Sequence, residues 1–417
     1  MVSETVHNPD RFMADFRQIL SQGRKRIGLL VGAGAPVAIR INEKTGVIEP
    51  GGKPLIPAVA DLTKIVVNKL TGDNKTAVSA ILTQIGANAN IEAILSQVRL
   101  LERAIGSNKI HGLDSDGYKK LGKCICEGIG QLVKANLPLE QNPYTETVSW
   151  ICGTLREHPI EIFTTNYDLL MEEAFERAHV PYFDGFSGGH VPFFDAASVA
   201  SDDLPPRWAR LWKLHGSLGW DIEGKNVVRG RGKDATQLIY PDHLKYDLIQ
   251  KQPYSAFFER LKQFLLTPDV LLIATGFSFN DSHICAVLEE ALAANANAAV
   301  FAFQHQPLEK EAPASKLAKN RPNLSVYAEN GAVIRGVPGP WKLGDPPKNW
   351  EEIRKSFWSS RSSGGPNVFT LGDFKELARF FALAQTSDVQ KAEEQAVQMP
   401  APSGGVDETG KPPAKAA

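Results

Sequence analysis

The sequence lacks the paired cysteines of a structural zinc site. Its 417 residues include four cysteines, and only Cys124 and Cys126 lie close together, with one residue between them. Structural zinc sites use cysteine pairs at wider local spacing. The sequence therefore predicts neither zinc nor a disulfide framework, and it favours free thiols buried among apolar side chains.

Long apolar runs and an excess of one charge are also missing. No segment approaches the roughly 18 consecutive apolar residues of a transmembrane helix, and residues 1–18 carry no apolar signal-peptide core. Lysine and arginine total 46, against 47 for aspartate and glutamate. The overall charge thus gives no indication of nucleic-acid binding, although it leaves room for a local basic patch. We expect a cytoplasmic protein without a membrane partner.

A short apolar segment followed by glycines is the most informative feature that is present. The segment Ile27–Val31 leads directly into Gly32-Ala33-Gly34. An apolar run bounded by glycines is typical of a buried strand in a parallel sheet. Glycines there let the backbone turn sharply, and free amides would suit a phosphate. An ordinary strand-to-loop turn also fits, because Val37 stands where a dinucleotide fingerprint has its third glycine.

Three later apolar segments end in the same way, in polar residues or glycine. They are Glu161–Asp168, Trp212–Ser217 and Val270–Asp281. In open α/β sheets, ligands bind at the carboxyl ends of the strands, so we expect these ends and the glycine turn to form one crevice. Strands that alternate with helices predict an α/β fold with a doubly wound parallel sheet. The segment Phe183–Pro206, rich in Gly, Ser and Asp, is expected to be irregular.

Composition and periodicity suggest how the chain is divided. A helix is predicted within residues 1–25 and the α/β domain within 26–345. A helical subdomain is expected as an insert at about 58–140, because apolar residues recur there at helical spacing and strand signals are scarce. Residues 346–390 are predicted to be a C-terminal helical extension. Residues 391–417 have almost no large apolar side chains and should be disordered.

Four motifs in a fixed order resemble those of the sirtuin family. They are Gly32-Ala33-Gly34, Thr165-Asn166-Tyr167-Asp168, His215-Gly216 and Gly276-Phe277-Ser278. The resemblance extends over residues 26–335 and is weakest in the helical insert. The Thr-Asn-Tyr-Asp variant is most similar to the bacterial sirtuin-like proteins of antiphage defence. The resemblance implies a Rossmann-like fold and an NAD site at which the nicotinamide–ribose bond is cleaved.

The resemblance also implies roles for individual residues. Asn166 would lie beside the nicotinamide ribose, and His215 would act as a general base. Cofactor contacts would come from the glycine turn, from the Ile-Pro of a flexible loop, and from the second and fourth motifs. The cofactor-binding residues would be Gly32, Ala33, Gly34, Ala35, Pro57, Asp168, Gly276 and Ser278.

The residue types themselves leave structural alternatives open. Asn166 is also suited to capping the helix expected after it, and Asp168 is equally suited to the first turn of that helix. Ser278 fits an ordinary loop as well as a binding site. Three nearby aromatic residues favour a core over a base-stacking platform; they are Trp208, Trp212 and Trp220.

The sequence departs from the deacylating sirtuins. It lacks their two zinc-binding cysteine pairs, Pro36 stands where a serine usually follows the Gly-Ala-Gly motif, and no Asp-Phe-Arg follows Pro57. These differences favour an NAD+ glycohydrolase that needs no zinc and has NAD as its substrate. An NAD-dependent protein deacylase and a non-catalytic nucleotide-binding scaffold stay open as alternatives.

The resemblance to defence proteins implies a biological role. The enzyme would deplete NAD in the phage-infected cell, which is a form of abortive infection. Such an activity needs restraint, and the resemblance implies a separately encoded HerA-type hexameric ATPase as the partner. Apolar helix faces in the insert and near Phe374 predict a homo-oligomer, since closed symmetric assemblies are the usual outcome of such contacts.

Overall fold

The computed structural model describes residues 5–87, 89–223, 226–230, 252–345, 350–361 and 364–384. The disordered tail predicted for 391–417 lies outside these residues, as does the end of the predicted C-terminal extension. The strands are β1 (Arg26–Val31), β2 (Arg40–Ile41), β3 (Lys53–Pro54), β4 (Glu161–Thr164), β5 (Tyr182–Phe183), β6 (Phe186–Ser187), β7 (Phe193–Phe194), β8 (Ala209–Lys213), β9 (Trp220–Glu223), β10 (Asn226–Arg229), β11 (Val270–Thr275), β12 (Ala299–Phe303), β13 (Leu324–Tyr327), β14 (Gly331–Ile334), β15 (Val337–Pro340), β16 (Trp358–Ser360) and β17 (Asn367–Phe369).

Helices alternate with the longer strands. Among the helices of the described ranges, none is both long and apolar enough to cross a membrane. Two short 3-10 helices cover Pro36–Ala38 and Leu308–Lys310. The α-helices are α1 (Pro9–Ser21), α2 (Val59–Lys69), α3 (Gly72–Ile85), α4 (Ile91–Ala104), α5 (Ser115–Val133), α6 (Pro143–Gly153), α7 (Leu170–Arg177), α8 (Ala196–Ala200), α9 (Tyr254–Leu266), α10 (Ser282–Ala294), α11 (Ala312–Asn320), α12 (Glu351–Lys355) and α13 (374–384).

A nine-stranded sheet lies at the centre of the described chain, in the order β15-β14-β13-β12-β11-β1-β4-β8-β5. Neighbours from β13 to β5 are parallel, whereas β14 and β15 pair antiparallel. Numbered along the chain, the six central strands read 3-2-1-4-5-6 across the sheet, which is the order of doubly wound dinucleotide-binding folds. The predicted α/β fold with a mostly parallel sheet is therefore confirmed.

The central strands are apolar because both of their faces are covered. In β1, Leu29 and Val31 face one hydrophobic core, while Leu30 faces the other. All six residues of β11 are buried. A strand buried on both faces has no polar positions to alternate with apolar ones, which explains the continuous apolar runs in the sequence.

Helices α2 to α5 follow the short β2–β3 hairpin and precede α6. The helix α4 buries Ile91, Ile94, Leu95 and Val98 on one face. Its N-cap is Asn90, whose side-chain oxygen accepts the amide of the third helical residue at 2.9 Å, which is a common role of asparagine at a helix start. This part of the chain therefore contributes helices, and no strand of the central sheet lies between β1 and β4 in the part of the chain that is described.

The segment predicted to be irregular is more ordered than expected. It begins at the last residue of β5 and contains α8 and the short strands β6 and β7, which join β9 and β10 in a small antiparallel sheet. Strands of two residues are too short to show an alternating pattern, so the sequence could not reveal them. Aromatic packing stabilises them, with the rings of Phe186 and Trp220 centred 5.2 Å apart. Trp212 and Trp220 are buried, as predicted for core residues.

The N- and C-terminal helices pack together. Phe16 of α1 stacks on Phe380 of α13 at 5.7 Å, and Trp150 of α6 stacks on Phe381 at 4.5 Å. Because α13 supplies aromatic residues to the main core, it is an integral part of the fold on this face of the sheet.

Candidate functional site

The four motif segments end at one edge of the central sheet. Val31 pairs with Thr164 on one side and with Thr275 on the other, and Thr164 pairs with Lys213. In each of the four segments, a motif residue follows one or two positions after the paired residue. These residues are Gly32, Asn166, His215 and Gly276. The predicted crevice residues thus lie at adjacent strand ends, in the order β11, β1, β4, β8.

Three glycines let the turns after β1 and β11 pack backbone against backbone. A Cβ atom on Gly32 would lie 2.4 Å from the Gly276 carbonyl oxygen, and one on Gly34 would lie 2.8 Å from the Gly276 Cα. Gly276 has a φ of +62°, and its own Cβ would lie 2.5 Å from the amide nitrogen of Ala35. These distances are steric overlaps, so the close approach alone requires glycine at all three positions.

Most amides of the glycine turn are already bonded within the protein. The Gly32 amide donates to the Thr275 carbonyl and the Gly34 amide to the Gly276 carbonyl, both at 2.9 Å. The Ala35 amide donates to the Gly32 carbonyl at 3.0 Å. Within the described chain, the Ala33 amide is the one in this turn without a backbone acceptor. Three of the four amides are therefore already paired within the protein, and a cofactor contact of these four residues stays a prediction. The close approach that requires glycine also pairs their N–H groups.

Asn166 is buried just beyond β4, with 7% of its surface exposed. Its amide donates to Thr164 Oγ1 at 3.1 Å. Its side-chain oxygen is buried and has no hydrogen-bond partner among the described residues. The alternative of a helix cap is wrong, because α7 begins at Leu170 and its N-cap is Leu169. The side-chain amide oxygen of Asn166 thus has no partner among the described residues.

Asp168 belongs to a buried cluster of charged side chains. Burial raises the pKa of its carboxyl group to about 6, although the Lys213 ammonium opposes this shift. Lys213 Nζ donates to the Asp168 main-chain carbonyl and lies 3.1 Å from Glu172 Oε1. Asp168 Oδ1 accepts the Leu170 amide at 3.1 Å. The side chain therefore has the local bond expected of a residue at the start of a helix, and it also lies beside Asn166.

A small cavity borders Asn166. Its volume is about 10 Å³, roughly the space that one water molecule needs. Its lining includes Tyr144, Asn166, Asp168 and Lys213. Burial raises the pKa of Tyr144 well above its usual value, the nearby Asp168 and Glu172 raise it further, and the nearby Asn166 side chain lowers it. The Tyr144 hydroxyl, on α6, is thus a direct neighbour of Asn166.

His215 follows β8, and the turn continues through Gly216 with a φ of +94°. The imidazole is buried, and its Nε2 lies 2.9 Å from Asp281 Oδ2. The ring of Tyr167 is centred 6.5 Å from it. A histidine that lies next to a carboxylate just past the end of a strand is suited to proton transfer.

The remaining predicted contacts lie in two loops. Pro57 is partly buried between the β2–β3 hairpin and α2, next to the buried Ile56. Ser278 is exposed between the buried Phe277 and Phe279. Their positions do not show whether Pro57 and Ser278 contact a cofactor, so both roles stay predictions.

The cysteines lie on three separate helices. Cys124 and Cys152 are exposed, and Cys126 and Cys285 are partly buried. The expectation of buried thiols is therefore wrong for Cys124 and Cys152. Cys124 lies on the outer face of α5, whereas Leu121 of the same helix packs in the core. No group of three or more His, Cys, Asp or Glu side chains among the described residues could hold a metal ion. The absence of zinc stays a prediction.

Three residues of this region were missed by the sequence reasoning. Lys213 offered a signal, because a lysine inside an apolar run must find buried partners. Asp281 offered a weaker one, as an acidic residue at a helix start. Tyr144 offered none, since its contact with Asn166 joins segments that are remote in sequence.

Comparison with known proteins supports part of the family resemblance. Residues 160–326 match the family model described as the SIR2-like domain. A search of curated proteins finds no match. Among solved structures, similarity is found to a chain described under "Structural Basis for the Mechanism and Regulation of Sir2 Enzymes", with 12% identity, a TM-score of 0.33, and coverage of 72% of this chain and 88% of that chain.

The sequence match includes three of the four motifs. Asn166, His215 and Gly276 lie inside the matched residues, whereas the glycine turn after β1 precedes them. The match supports a sirtuin-like assignment for residues 160–326 of this chain.

Proposed function

We propose that this chain hydrolyses NAD+ to nicotinamide and ADP-ribose. The observation that carries the proposal is the placement of Asn166 and His215 at the ends of two adjacent strands. Both residues stand two positions beyond the paired residues Thr164 and Lys213. Both also lie within the SIR2-like match, and that match supports NAD as the substrate.

The proposed reaction breaks the bond between nicotinamide and ribose. The electron pair of that bond leaves with nicotinamide, whose ring nitrogen loses its positive charge, and the ribose carbon becomes oxocarbenium-like, as in other glycosidic cleavages. The oxygen of water then bonds to this carbon, and a proton of that water passes to His215. Asn166 can orient the water and a ribose hydroxyl together, because an amide side chain both donates and accepts hydrogen bonds.

The sheet order supports the proposed position of the dinucleotide. Ligands of doubly wound sheets bind where the strand order reverses, which here is between β1 and β11. The end of β8 is two strands from β1, or about 10 Å at the usual strand spacing. A dinucleotide bound along this edge would extend from the glycine turn towards Asn166 and His215.

Two alternatives make different predictions. A deacylase would need an acylated peptide and would form acylated ADP-ribose rather than ADP-ribose alone. A nucleotide-binding scaffold would bind NAD and leave it intact. The lack of zinc-type cysteine pairs in the sequence favours hydrolysis over deacylation. The presence of both Asn166 and His215 past adjacent strands favours catalysis over a scaffold.

The test is incubation of the purified chain with NAD, alone and with an acylated peptide, followed by identification of the products. We expect nicotinamide and ADP-ribose without peptide. Asn166→Ala and His215→Ala should each lower the rate by about 10²- to 10⁴-fold, and binding of NAD should be less affected than turnover.

Asn90→Ala is the matched control for these variants. It removes an asparagine that caps α4, at a cost of about 1 kcal/mol in stability, and it should cleave NAD at the wild-type rate. Intact NAD under every condition would support the scaffold, and peptide-dependent products would support the deacylase. Wild-type rates for both site variants would show that the site is placed wrongly.

We further propose that the enzyme is a homo-oligomer in antiphage defence, restrained until a HerA-type hexameric ATPase or a phage signal activates it. The similarity of the Thr165–Asp168 motif to defence proteins supports this role. Light scattering would give the mass in solution, and NAD cleavage would be measured with and without the ATPase. A fully active monomer, unaffected by the ATPase, would contradict this regulation.

A further inference from the structure

The carboxylate of Asp281 makes contact with His215 from a different element of the fold. Asp281 Oδ2 lies 2.9 Å from His215 Nε2, and the two side chains are 8% and 5% exposed. Asp281 is the N-cap of α10, which follows β11, whereas His215 follows β8. Since β1 and β4 separate these strands, the contact joins the ends of two strands that are not neighbours in the sheet.

The start of α10 fixes the position of this carboxylate. Asp281 Oδ1 accepts the amides of His283 at 2.9 Å and Ile284 at 3.2 Å. Two backbone bonds and the positive end of the helix dipole stabilise the ionised form of the carboxyl group. With Oδ1 engaged by the helix, Oδ2 is the oxygen that faces the imidazole.

The position of the carboxylate bears on which nitrogen of His215 carries the proton. An ionised carboxylate only accepts hydrogen bonds, and a neutral imidazole has one N–H and one acceptor nitrogen. Nε2 faces Asp281, so the carboxylate favours the tautomer in which Nε2 carries the proton and Nδ1 can accept one. The distance between Nε2 and Oδ2 is that of a hydrogen bond, but the imidazole and the carboxylate are not well aligned for one. Hydrogen bonds of catalytic groups often align fully only when substrate is bound.

We propose that Asp281 is a positioning residue that holds His215 in the tautomer with Nδ1 unprotonated. The inference rests on the proposed function, in which His215 takes the proton of the attacking water. The water oxygen bonds to the ribose carbon, the proton goes to Nδ1, and nicotinamide leaves with the electron pair of the broken bond. Asp281 acts only through His215 and gains no proton.

The decisive variant is Asp281→Asn, because it separates this role from helix capping. Asparagine caps helices about as well as aspartate, so α10 should be preserved. Its side-chain NH₂ would face Nε2 as a donor, which forces the N–H of His215 to Nδ1 and blocks the base. A wrong tautomer of this kind can lower kcat by up to about 10⁴-fold in a histidine–aspartate pair.

The experiment combines NMR and kinetics on the full chain. Histidine labelled with ¹⁵N reports the tautomer, and loss of one set of signals in His215→Gln assigns them to His215. We expect Nε2–H in the wild type and Nδ1–H in Asp281→Asn. The kcat for nicotinamide release should fall by about 10²- to 10⁴-fold, with KM changed by less than about threefold, since the pair acts in the chemical step.

Asp114→Asn serves as the matched control. Asp114 caps α5 through a bond of 2.9 Å to the Gly117 amide, and its variant should retain wild-type kcat and the His215 tautomer. An unchanged tautomer in Asp281→Asn would overturn the inference, whatever happens to the rate. If Asp281→Asn changes the tautomer but the wild-type chain releases no nicotinamide, the proposed function is refuted. The inference about which nitrogen of His215 carries the proton would still hold.

Discussion

The backbone contact between the two turns predicts a large cost for a single added methyl group. In Gly276→Ala, alanine would have to adopt a φ of +62°, which costs about 1–2 kcal/mol for an L-residue. The new Cβ would also lie 2.5 Å from the Ala35 nitrogen and 3.0 Å from the Gly32 oxygen. Overpacking of this kind costs a further 1–3 kcal/mol or so. We therefore expect a loss of about 2–5 kcal/mol in the free energy of unfolding.

A second glycine separates the two contributions. Gly51 has a φ of +81°, and a Cβ atom added to it would have no other atom within 4 Å, so Gly51→Ala should show only the backbone strain of about 1–2 kcal/mol. Urea denaturation of both variants would measure the difference. Equal losses in the two variants would refute the reasoning, because the close approach of the turns would then contribute nothing.

Two other predictions concern buried charges. The carboxyl group of Asp168 has its pKa raised from 3.8 to about 6, so the stability it contributes when protonated is present below about pH 4 and is lost as the pH rises through 6. The stability of the wild type relative to Asp168→Asn should therefore fall by up to about 3 kcal/mol between pH 4 and pH 7, and a constant difference would contradict this. Glu161 binds Arg260 through both oxygens, at 2.7 and 2.6 Å, so Glu161→Gln should cost about 3–5 kcal/mol in denaturation experiments. Asp202→Asn, at the exposed end of this network, should cost less; similar losses would contradict the role of burial.

The fold was predictable wherever a segment is long and buried on both faces. The apolar runs at β1 and β11 predicted central strands, and the glycines that follow them predicted where these strands end. The small sheet that includes β6 and β7 was not predictable. Its strands β6 and β7 are two residues long, and its stability comes from aromatic contacts such as that between Phe186 and Trp220, which no local pattern reports.

The site was predictable only where its residues follow strands directly. Asn166 and His215 stand two residues past paired positions of adjacent strands, so the rule for strand ends was enough to bring them together. Tyr144 and Asp281 reach the same region from helices, and their contacts depend on how α6 and α10 pack. Contacts of that kind are set by the tertiary structure, and a single sequence does not encode them locally.

The structural explanation of the motifs differs between the glycines and the asparagine. Gly32, Gly34 and Gly276 are accounted for by the packing of two turns, and the amides of Gly32 and Gly34 are bonded in that packing. Any protein with this backbone would need these glycines, whether or not it binds a nucleotide.

Asn166 has no such explanation. Its buried oxygen has no protein partner among the described residues. Without a water or ligand partner it would cost about 1–3 kcal/mol, which an apolar side chain there would avoid. Natural sequences break local rules of this kind mainly at functional sites. The support for a ligand site at this edge of the sheet therefore comes from Asn166, rather than from the glycine turn that first indicated a nucleotide site.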